Sequence, residues 1–441
     1  MISVEELYAL YRKCTGITTD SRKIEEGAMF FALKGETFDG NDFAENALKA
    51  GAKYAVVDRF LLEGTAYRGR KCIVVENTLD MLQKLAAFHR SQFDIPVIGI
   101  TGTNGKTTTK ELVAAVLGKK FNLVATKANY NNHIGVPLTL FRINEKTELA
   151  VVEMGASAPG EIADLTKIVQ PTCGLITCVG KAHLQGFGSF DGVKKAKGEL
   201  YDILRQKGGL VFYNADNPHL CEMVAHRPGL CTRKYGVGLQ NVKIVPASAD
   251  DPFLRMELSY RGRPTTIATH LVGDYNADNV MAALSVAEYF DVSYFDTIKA
   301  IESYVPSNSR SQLVRTSRNI LIIDAYNANP SSMRAALDNF AHTGFPGKML
   351  MLGDMLELGE DSAAEHRAIL ERALEVADTV CLVGKEFGSA AESVPHDPAR
   401  VLSFPDIVAL KDYVTEHPVD GATILIKGSN GNHMQEVVPA L

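Results

Sequence analysis

Ile100-Thr101-Gly102-Thr103-Asn104-Gly105-Lys106-Thr107-Thr108 is the stretch on which the reading of this chain turns. An apolar strand, Pro96 to Ile100, runs into it, and a helical run, Lys110 to Leu117, leaves it. It departs from the usual phosphate loop at its front glycine, reading G-T-N-G-K-T where that loop reads G-x-x-x-x-G-K-S/T. It still supplies what a triphosphate needs. Gly102 and Gly105 let backbone N–H groups converge on phosphate oxygens, flanked by Thr103 and Asn104, and the helix N-terminus adds positive potential. Lys106 neutralises the β and γ phosphates, the Thr107 hydroxyl is placed to ligate magnesium, and Thr108 completes the turn. The competing reading is an ordinary glycine-rich turn between a strand and a helix.

Outward from the loop, strand candidates follow at Leu149 to Glu153, Gly174 to Val179 and Leu210 to Tyr213. Helical stretches lie between them, the rhythm of a parallel sheet built from strand–helix–strand units. Toward the amino terminus, Met29 to Leu33, Tyr54 to Val57 and Cys72 to Val75 are short strands, and Phe43 to Ala50 is a helix stopped by Gly51. From about residue 310 the rhythm restarts. Ile320 to Ile323, Met349 to Leu352, Val380 to Val383 and Ile424 to Ile426 are buried-type strands, separated by helices such as Ser332 to Phe340 and Ala364 to Glu375. Gly262 to Pro264 and Pro306 to Ser311 read as turns or linkers. The expected fold is α/β in three domains over residues 1–84, 85–309 and 310–441: an α/β domain, a central phosphate-loop domain on a parallel sheet, and a Rossmann-like domain.

Composition removes several function classes. Lys and Arg number 46 against 52 Asp and Glu, a net charge of −6, with no long basic run, so nucleic acid is not an expected partner. Apolar runs fall far short of the roughly 20 residues that span a bilayer. The segment MISVEELYALYRKC carries acids early and lacks the layout of a signal peptide. Seven dispersed cysteines with no C-x-x-C pair point to reduced thiols in a cytoplasmic enzyme, with neither a zinc site nor a disulfide framework.

The loop in this form, Thr101-Gly102-Thr103-Asn104-Gly105-Lys106-Thr107-Thr108, resembles the Mur ligases and their folylpolyglutamate synthetase relatives, ATP-dependent enzymes that join an amine to a carboxylate. Further stretches match the same family in order. They are Thr19-Asp20-Ser21-Arg22, Asn131-Asn132-x-x-Gly135-Val136-Pro137, Glu153-Met154-Gly155, His183-Leu184-x-Gly186-Phe187-Gly188-Ser189 and Lys197-Gly198-Glu199. Gly273-x-x-Asn276-x-x-Asn279 and Asp324-x-Tyr326-Asn327-Ala328-Asn329-Pro330 complete the series.

The resemblance implies that the first domain binds a uridine nucleotide, through Ser21, Arg22 and Lys34, and that Asn131 and Asn132 touch the same substrate. It implies two magnesium ions, held by Thr107, Glu153, His183 and a Lys197 carbamylated by CO2, which turns a cation into an anionic oxygen ligand. Histidine is an unusual partner for a hard cation, so that assignment rests on the family pattern. Otherwise His183 reads as a polar loop residue and Lys197 as a solvated lysine on a basic helix face, beside Lys194 and Lys195. Asn276 and Asn279 resemble the asparagines that reach the adenine of ATP, although helix capping would explain them equally. Arg310 resembles an arginine on the phosphates, although the family's usual glycine before it is Ser309 here. Asp324 resembles the acid on the ATP ribose, the alternative being a turn carboxylate.

Asn327, Asn329 and Lys427-Gly428-Ser429 resemble the amine-substrate site, although the arginine usual after that triplet is absent from Asn430-Gly431-Asn432-His433. The substrates so implied are ATP, a UDP-N-acetylmuramoyl-tripeptide and D-alanyl-D-alanine, joined through an acyl phosphate by a monomeric ligase; Lys106, Glu153, His183 and Lys197 carry the chemistry. A sister ligase adding a diamino acid to a dipeptide is the alternative. Its usual Asp-Asn-Pro-Arg stretch is only echoed, by Asp216-Asn217-Pro218-His219 in the central domain. A nucleotide-dependent switch that forms no amide is a third reading.

Overall fold

A computed structural model describes residues 2–59, 71–307 and 309–441; within the Pro306 to Ser311 turn, Asn308 lies outside the described residues. The first sheet has four parallel strands in sequence order, Ile17–Thr18, Met29–Phe31, Tyr54–Val57 and Cys72–Val74. Side chains on a strand alternate between faces, so Met29 and Phe31 bury against Leu7, Leu82 and Leu85, and Phe30 against Ala44, Ala47 and Leu48 on the opposite face. The predicted helix at 43–50 is a 3-10 turn, Gly40–Phe43, followed by a helix, Ala44–Lys49.

The central sheet has six strands in the order Cys231–Tyr235, Leu210–Asn214, Cys173–Ile176, Val97–Thr101, Leu149–Glu153, Leu123–Ala125. All five residues of Val97–Thr101 and of Leu149–Glu153 are buried, as expected where both faces of a parallel sheet are covered. A three-stranded antiparallel sheet, Lys243–Val245, Phe253–Tyr260 and Arg263–Val272, was not anticipated. The alternation of buried and open residues along Phe253–Tyr260 is its signature. The turn expected at 262–264 is the two-residue hairpin Arg261-Gly262, both at positive φ (51° and 73°), while Pro264 already lies in the strand.

The last sheet runs Gln312–Arg315, Ile320–Asp324, Thr423–Lys427, Lys348–Gly353, Thr379–Val383, Val401–Phe404. Its first pair is antiparallel and the remainder parallel. Helices Pro330–His342 and Ser362–Val376 cover one face through Met333, Leu337, Ile369 and Leu370, and Ile407–Glu416 covers the other through Leu410 and Val414. Helices on both faces make this the doubly wound arrangement expected, with Asp324 and Lys427 at neighbouring carboxyl ends, where such sheets collect ligands.

By contacts the chain forms two compact units. One takes residues up to 100 with 121–155 and 162–174; the other takes 101–120, 156–161 and 175–441. In the first, Arg90 on the helix Thr78–Ser91 is buried, and its guanidinium donates to the carbonyls of Phe93 (2.6 Å), Ile95 (3.2 Å), Val169 (3.2 Å) and Gln170 (3.4 Å). Carbonyls left buried without donors are costly. Arg90→Leu is therefore expected to destabilise the chain by about 2–4 kcal/mol, read as a lower urea midpoint; an unchanged midpoint would show that Arg90 is not a structural tie.

Candidate active site

The loop at 101–106 is built from backbone constraints. Gly102 sits at φ +147°, and a Cβ there would lie 2.0 Å from Thr177 Oγ1; Gly105 sits at φ +77°, and a Cβ there would lie 2.5 Å from Asn279 Oδ1. The following helix is Lys106–Leu117, four residues longer at its start than expected, so Lys106 and Thr107 stand in its first turn. Its N-cap, Gly105, has no side chain to cap that turn, which leaves a helix end suited to an anion. Lys106 Nζ curls over the loop, donating to the carbonyls of Gly102 (2.9 Å) and Thr103 (3.0 Å). Thr103, Thr107 and Thr108 are all buried.

Asn276 and Asn279 lie on one face of the alanine-rich segment, as expected; Asn276 stands at the N-cap of the helix Ala277–Tyr289, yet its side chain makes no capping hydrogen bond. They form a buried chain: Thr109 Oγ1 donates to Asn279 Oδ1 (2.8 Å), Asn279 Nδ2 to Asn276 Oδ1 (2.9 Å), and Asn276 Nδ2 to the Val272 carbonyl (2.9 Å). Their amides brace the phosphate-loop helix. The Arg310 guanidinium lies 3.7 Å from the centre of the Tyr326 ring, and its Nε is buried with no hydrogen-bond partner among the described residues. A buried cationic donor left open in this way fits an anionic ligand such as a phosphate.

Asp324 pairs with the buried Lys427 at 2.6 Å and accepts from the Ser311 N–H at 3.4 Å. Asn327 Oδ1 accepts from the Ala328 N–H at 2.9 Å. Asn329 differs from its expected part. It caps Pro330–His342 in a capping box, and its Nδ2 donates to Asn104 Oδ1 at 2.7 Å, so its amide serves the phosphate loop.

Lys197 is not a solvated surface lysine. It is 2% exposed on the helix Phe190–Lys207, its Nζ donates to the Ala156 carbonyl (3.1 Å), and it lies 5.2 Å from the centre of the Phe187 ring. Burial, reinforced by the charge of Lys106, lowers its pKa from the ordinary 10.5 to about 7. Lys194 instead pairs with Asp191 and Glu222, and Lys195 is exposed. His183 stands at φ +51°, and its Nδ1 pairs with Glu357, a residue no sequence signal singled out. Burial pushes its pKa down while Glu357 pulls the other way.

All these residues fall in the second unit. The first carries Glu153, wholly buried at the end of its strand, where Oε1 accepts from Asn131 Nδ2 at 2.7 Å. Asn131 thus holds a carboxylate, and Asn132 Oδ1 accepts from Gly135 N at 2.8 Å to start the helix Gly135–Leu140. Arg22 forks onto Asp20 (2.8 and 3.0 Å), and these hydrogen bonds lower the Asp20 pKa to about 2; Ser21 lies between them in sequence, and Lys34 pairs with Asp58 at 3.0 Å. Among the described residues no three His, Cys, Asp or Glu side chains gather at a point that could hold a metal. A magnesium ion on a nucleotide needs no such cage, since it keeps waters and phosphate oxygens and takes one or two protein oxygens.

The backbone constraint gives a direct test. Gly102→Ala is expected to weaken binding of a fluorescent ATP analogue by at least about tenfold, because alanine disfavours this positive φ and its Cβ would collide with Thr177, so the loop must move; unchanged affinity would remove this loop from the nucleotide site.

Models of the Mur ligase family catalytic domain, the Mur ligase middle domain and the Mur ligase glutamate ligase domain match residues 13–90, 100–287 and 309–430 in turn. The UDP-N-acetylmuramoyl-tripeptide–D-alanyl-D-alanine ligase of Bacillus subtilis (strain 168) is 36% identical over 434 residues, covering 97% of this chain and 93% of the relative. That of Escherichia coli (strain K12) is 35% identical over 440 residues, covering 96% and 93%. Among solved structures, MurF from Acinetobacter baumannii superposes with a TM-score of 0.84 at 29% identity over 96% of this chain and 92% of its own. MurF ligase from Thermotoga maritima, in complex with ADP, superposes at 0.82 with 27% identity over 96% of each chain. With three family models matched in order and relatives more than a third identical along nearly the whole length, the chain belongs to the Mur ligase family.

Proposed function

We propose that this chain ligates D-alanyl-D-alanine to a UDP-N-acetylmuramoyl-tripeptide with ATP, giving the UDP-muramoyl-pentapeptide used to build peptidoglycan. The observation that carries the reading is the phosphate loop with Lys106 folded over it, in a chain whose relatives bear that activity in their names along its whole length. The sister activity, addition of a diamino acid, has less support. The Asp216-Asn217-Pro218-His219 echo is explained by folding, since Asn217 Oδ1 caps the helix Pro218–Ala225.

A carboxylate is a poor electrophile, so one of its oxygens must become a leaving group. The tripeptide carboxylate attacks the γ-phosphorus of ATP and ADP departs; the dipeptide amine then attacks the acyl carbon and phosphate leaves. Phosphoryl transfer asks the protein for position and charge more than for covalent help. Lys106 and Arg310 supply positive charge to the phosphates, the buried loop threonines exclude water, and Asp324 with Lys427 marks the ribose and amine side. Thr107, Glu153, His183 and Lys197 are the residues that would hold magnesium, which when bound neutralises phosphate charge. An amine buried and lowered to about 7 is neutral enough near neutral pH to add to CO2, and the carbamate so formed is an oxygen ligand in place of a cation. Division into domains at 1–84, 85–309 and 310–441 accords with the three matched segments. Ser21, Arg22 and Lys34 would face the uridine nucleotide. A cytoplasmic setting accords with seven unpaired cysteines, and among the described residues no helix is long and apolar enough to cross a membrane.

Purified enzyme with ATP and magnesium should release phosphate only when UDP-muramoyl-tripeptide and D-alanyl-D-alanine are both present, with the pentapeptide seen by mass. Turnover only with a UDP-dipeptide and a diamino acid would move the chain to the sister activity. Lys106→Ala should cut that release by about 10³-fold or more; wild-type turnover would sink the assignment. In 13C-bicarbonate at pH 8, a carbamate carbon resonance is expected for the wild type and not for Lys197→Arg. Its absence from the wild type would discard the modification.

A further inference from the structure

Glu365 is a buried carboxylate that no motif singles out. It stands in the first turn of the helix Ser362–Val376 with its side chain only 7% exposed. Two cations share it: Lys181 Nζ at 2.8 Å and Arg334, from the helix Pro330–His342. A carboxylate this deep is retained only where its charge is answered, and the two long side chains answer it from two different elements.

Lys181 lies on a segment, 177–183, that follows the phosphate loop closely. Thr177 Oγ1 donates to the Asn104 carbonyl, the Thr103 N–H donates to the Cys178 carbonyl at 2.9 Å, and the Gly180 N–H donates to Thr103 Oγ1 at 3.0 Å. The other side of the same segment meets the carboxy-terminal helices. A Cβ on Gly180 would lie 2.8 Å from Ser331 Oγ, and His183 pairs with Glu357. Asn104 repeats the link from the loop itself, donating to Ser331 Oγ at 3.0 Å and accepting from Asn329. One short segment therefore touches the phosphate loop along one edge and the helices Pro330–His342 and Ser362–Val376 along the other. Lys181 on Glu365 is the contact on that second edge whose carboxylate partner is buried.

We propose that Glu365 is a positioning residue. By seating Lys181 it holds the 177–183 segment against the phosphate loop, so that the helix Pro330–His342, which starts just after Asn327 and Asn329, and the loop carrying the nucleotide are set in one arrangement. Neither Lys181 nor Glu365 touches a reacting atom. Their effect passes through Thr177, Gly180 and His183. The kinetic half of the proposal rests on the ligase reading above.

Lys181→Met and Glu365→Gln are suitable probes in the full-length enzyme. Lys181 is half-exposed, and Arg334 still answers Glu365 after its removal, so the fold survives. Amide hydrogen exchange needs no substrate. Each variant is expected to speed exchange across 177–183 by about tenfold, leaving the strand Thr379–Val383 unchanged, and the double variant should exceed neither single. In turnover, the KM for ATP should rise about tenfold, with that for D-alanyl-D-alanine rising beside it, and Lys181→Arg should restore the wild-type values. Unchanged exchange at 177–183, or additive effects in the double variant, overturns the proposal. So do wild-type KM values for both substrates in both variants. A wild type that forms no amide product would instead count against the ligase reading, and the exchange pattern would still decide the role of Glu365.

Discussion

The constraint on which the site depends is steric: two backbone positions, 102 and 105, have no room for a side chain. Thr177 closes on one and Asn279 on the other, so the loop is clamped from both ends of its curve. Each clamp leads further into the molecule. Thr177 opens the segment that runs past Cys178 and Gly180 to His183, and Asn279 is the outer member of the amide chain that ends on the Val272 carbonyl. The two glycines thus let a helix N-terminus, a lysine and two interior hydrogen-bond chains meet within one turn, and protein contacts alone fix the loop. Such preorganisation is what phosphoryl transfer asks of a protein.

Charge is the second theme. Lys197, Glu153, Lys427 and Glu365 are all buried, and such groups are costly unless paired or put to use. Lys427 is paired with Asp324, Glu365 with two cations, and Glu153 accepts from Asn131. Lys197 meets a carbonyl and an aromatic face, and burial together with the charge of Lys106 outweighs Glu161 and Glu199, so that its pKa falls to about 7. Its position is the least comfortable of the four. Conversion to a carbamate would relieve both the repulsion and the buried positive charge.

The elements most legible in the chain were those whose apolar residues fill both faces of a parallel sheet, because a short continuous run flanked by turn residues has few other destinations. Tyr54–Val57 and Leu149–Glu153 match the expectation residue for residue. The antiparallel sheet at 243–272 was missed because its strands expose one face and so mix polar with apolar residues. Its hairpin also uses Arg-Gly in place of the more telling Asn-Gly. Helix starts moved where a cap or a loop glycine fixed them, as at Gly105 and Asn329.

Sequence by itself determined the class of the molecule and the order of its parts, since the glycine spacing of the loop, the lysine after it and the series of short motifs are local patterns with local physical causes. It could not determine what the polar side chains do. Asn131, Asn276, Asn279 and Asn329 are amides that can cap, brace or bind equally well, and only their neighbours decide. Lys194, Lys195 and Lys197 share one helix and one composition, yet a single turn of helical phase pairs the first, exposes the second and buries the third. Tertiary packing decided those roles because burial and charge depend on residues far away in the chain: Lys197 is close in space to Phe187 and Lys106, and Glu365 to Lys181, 184 positions earlier.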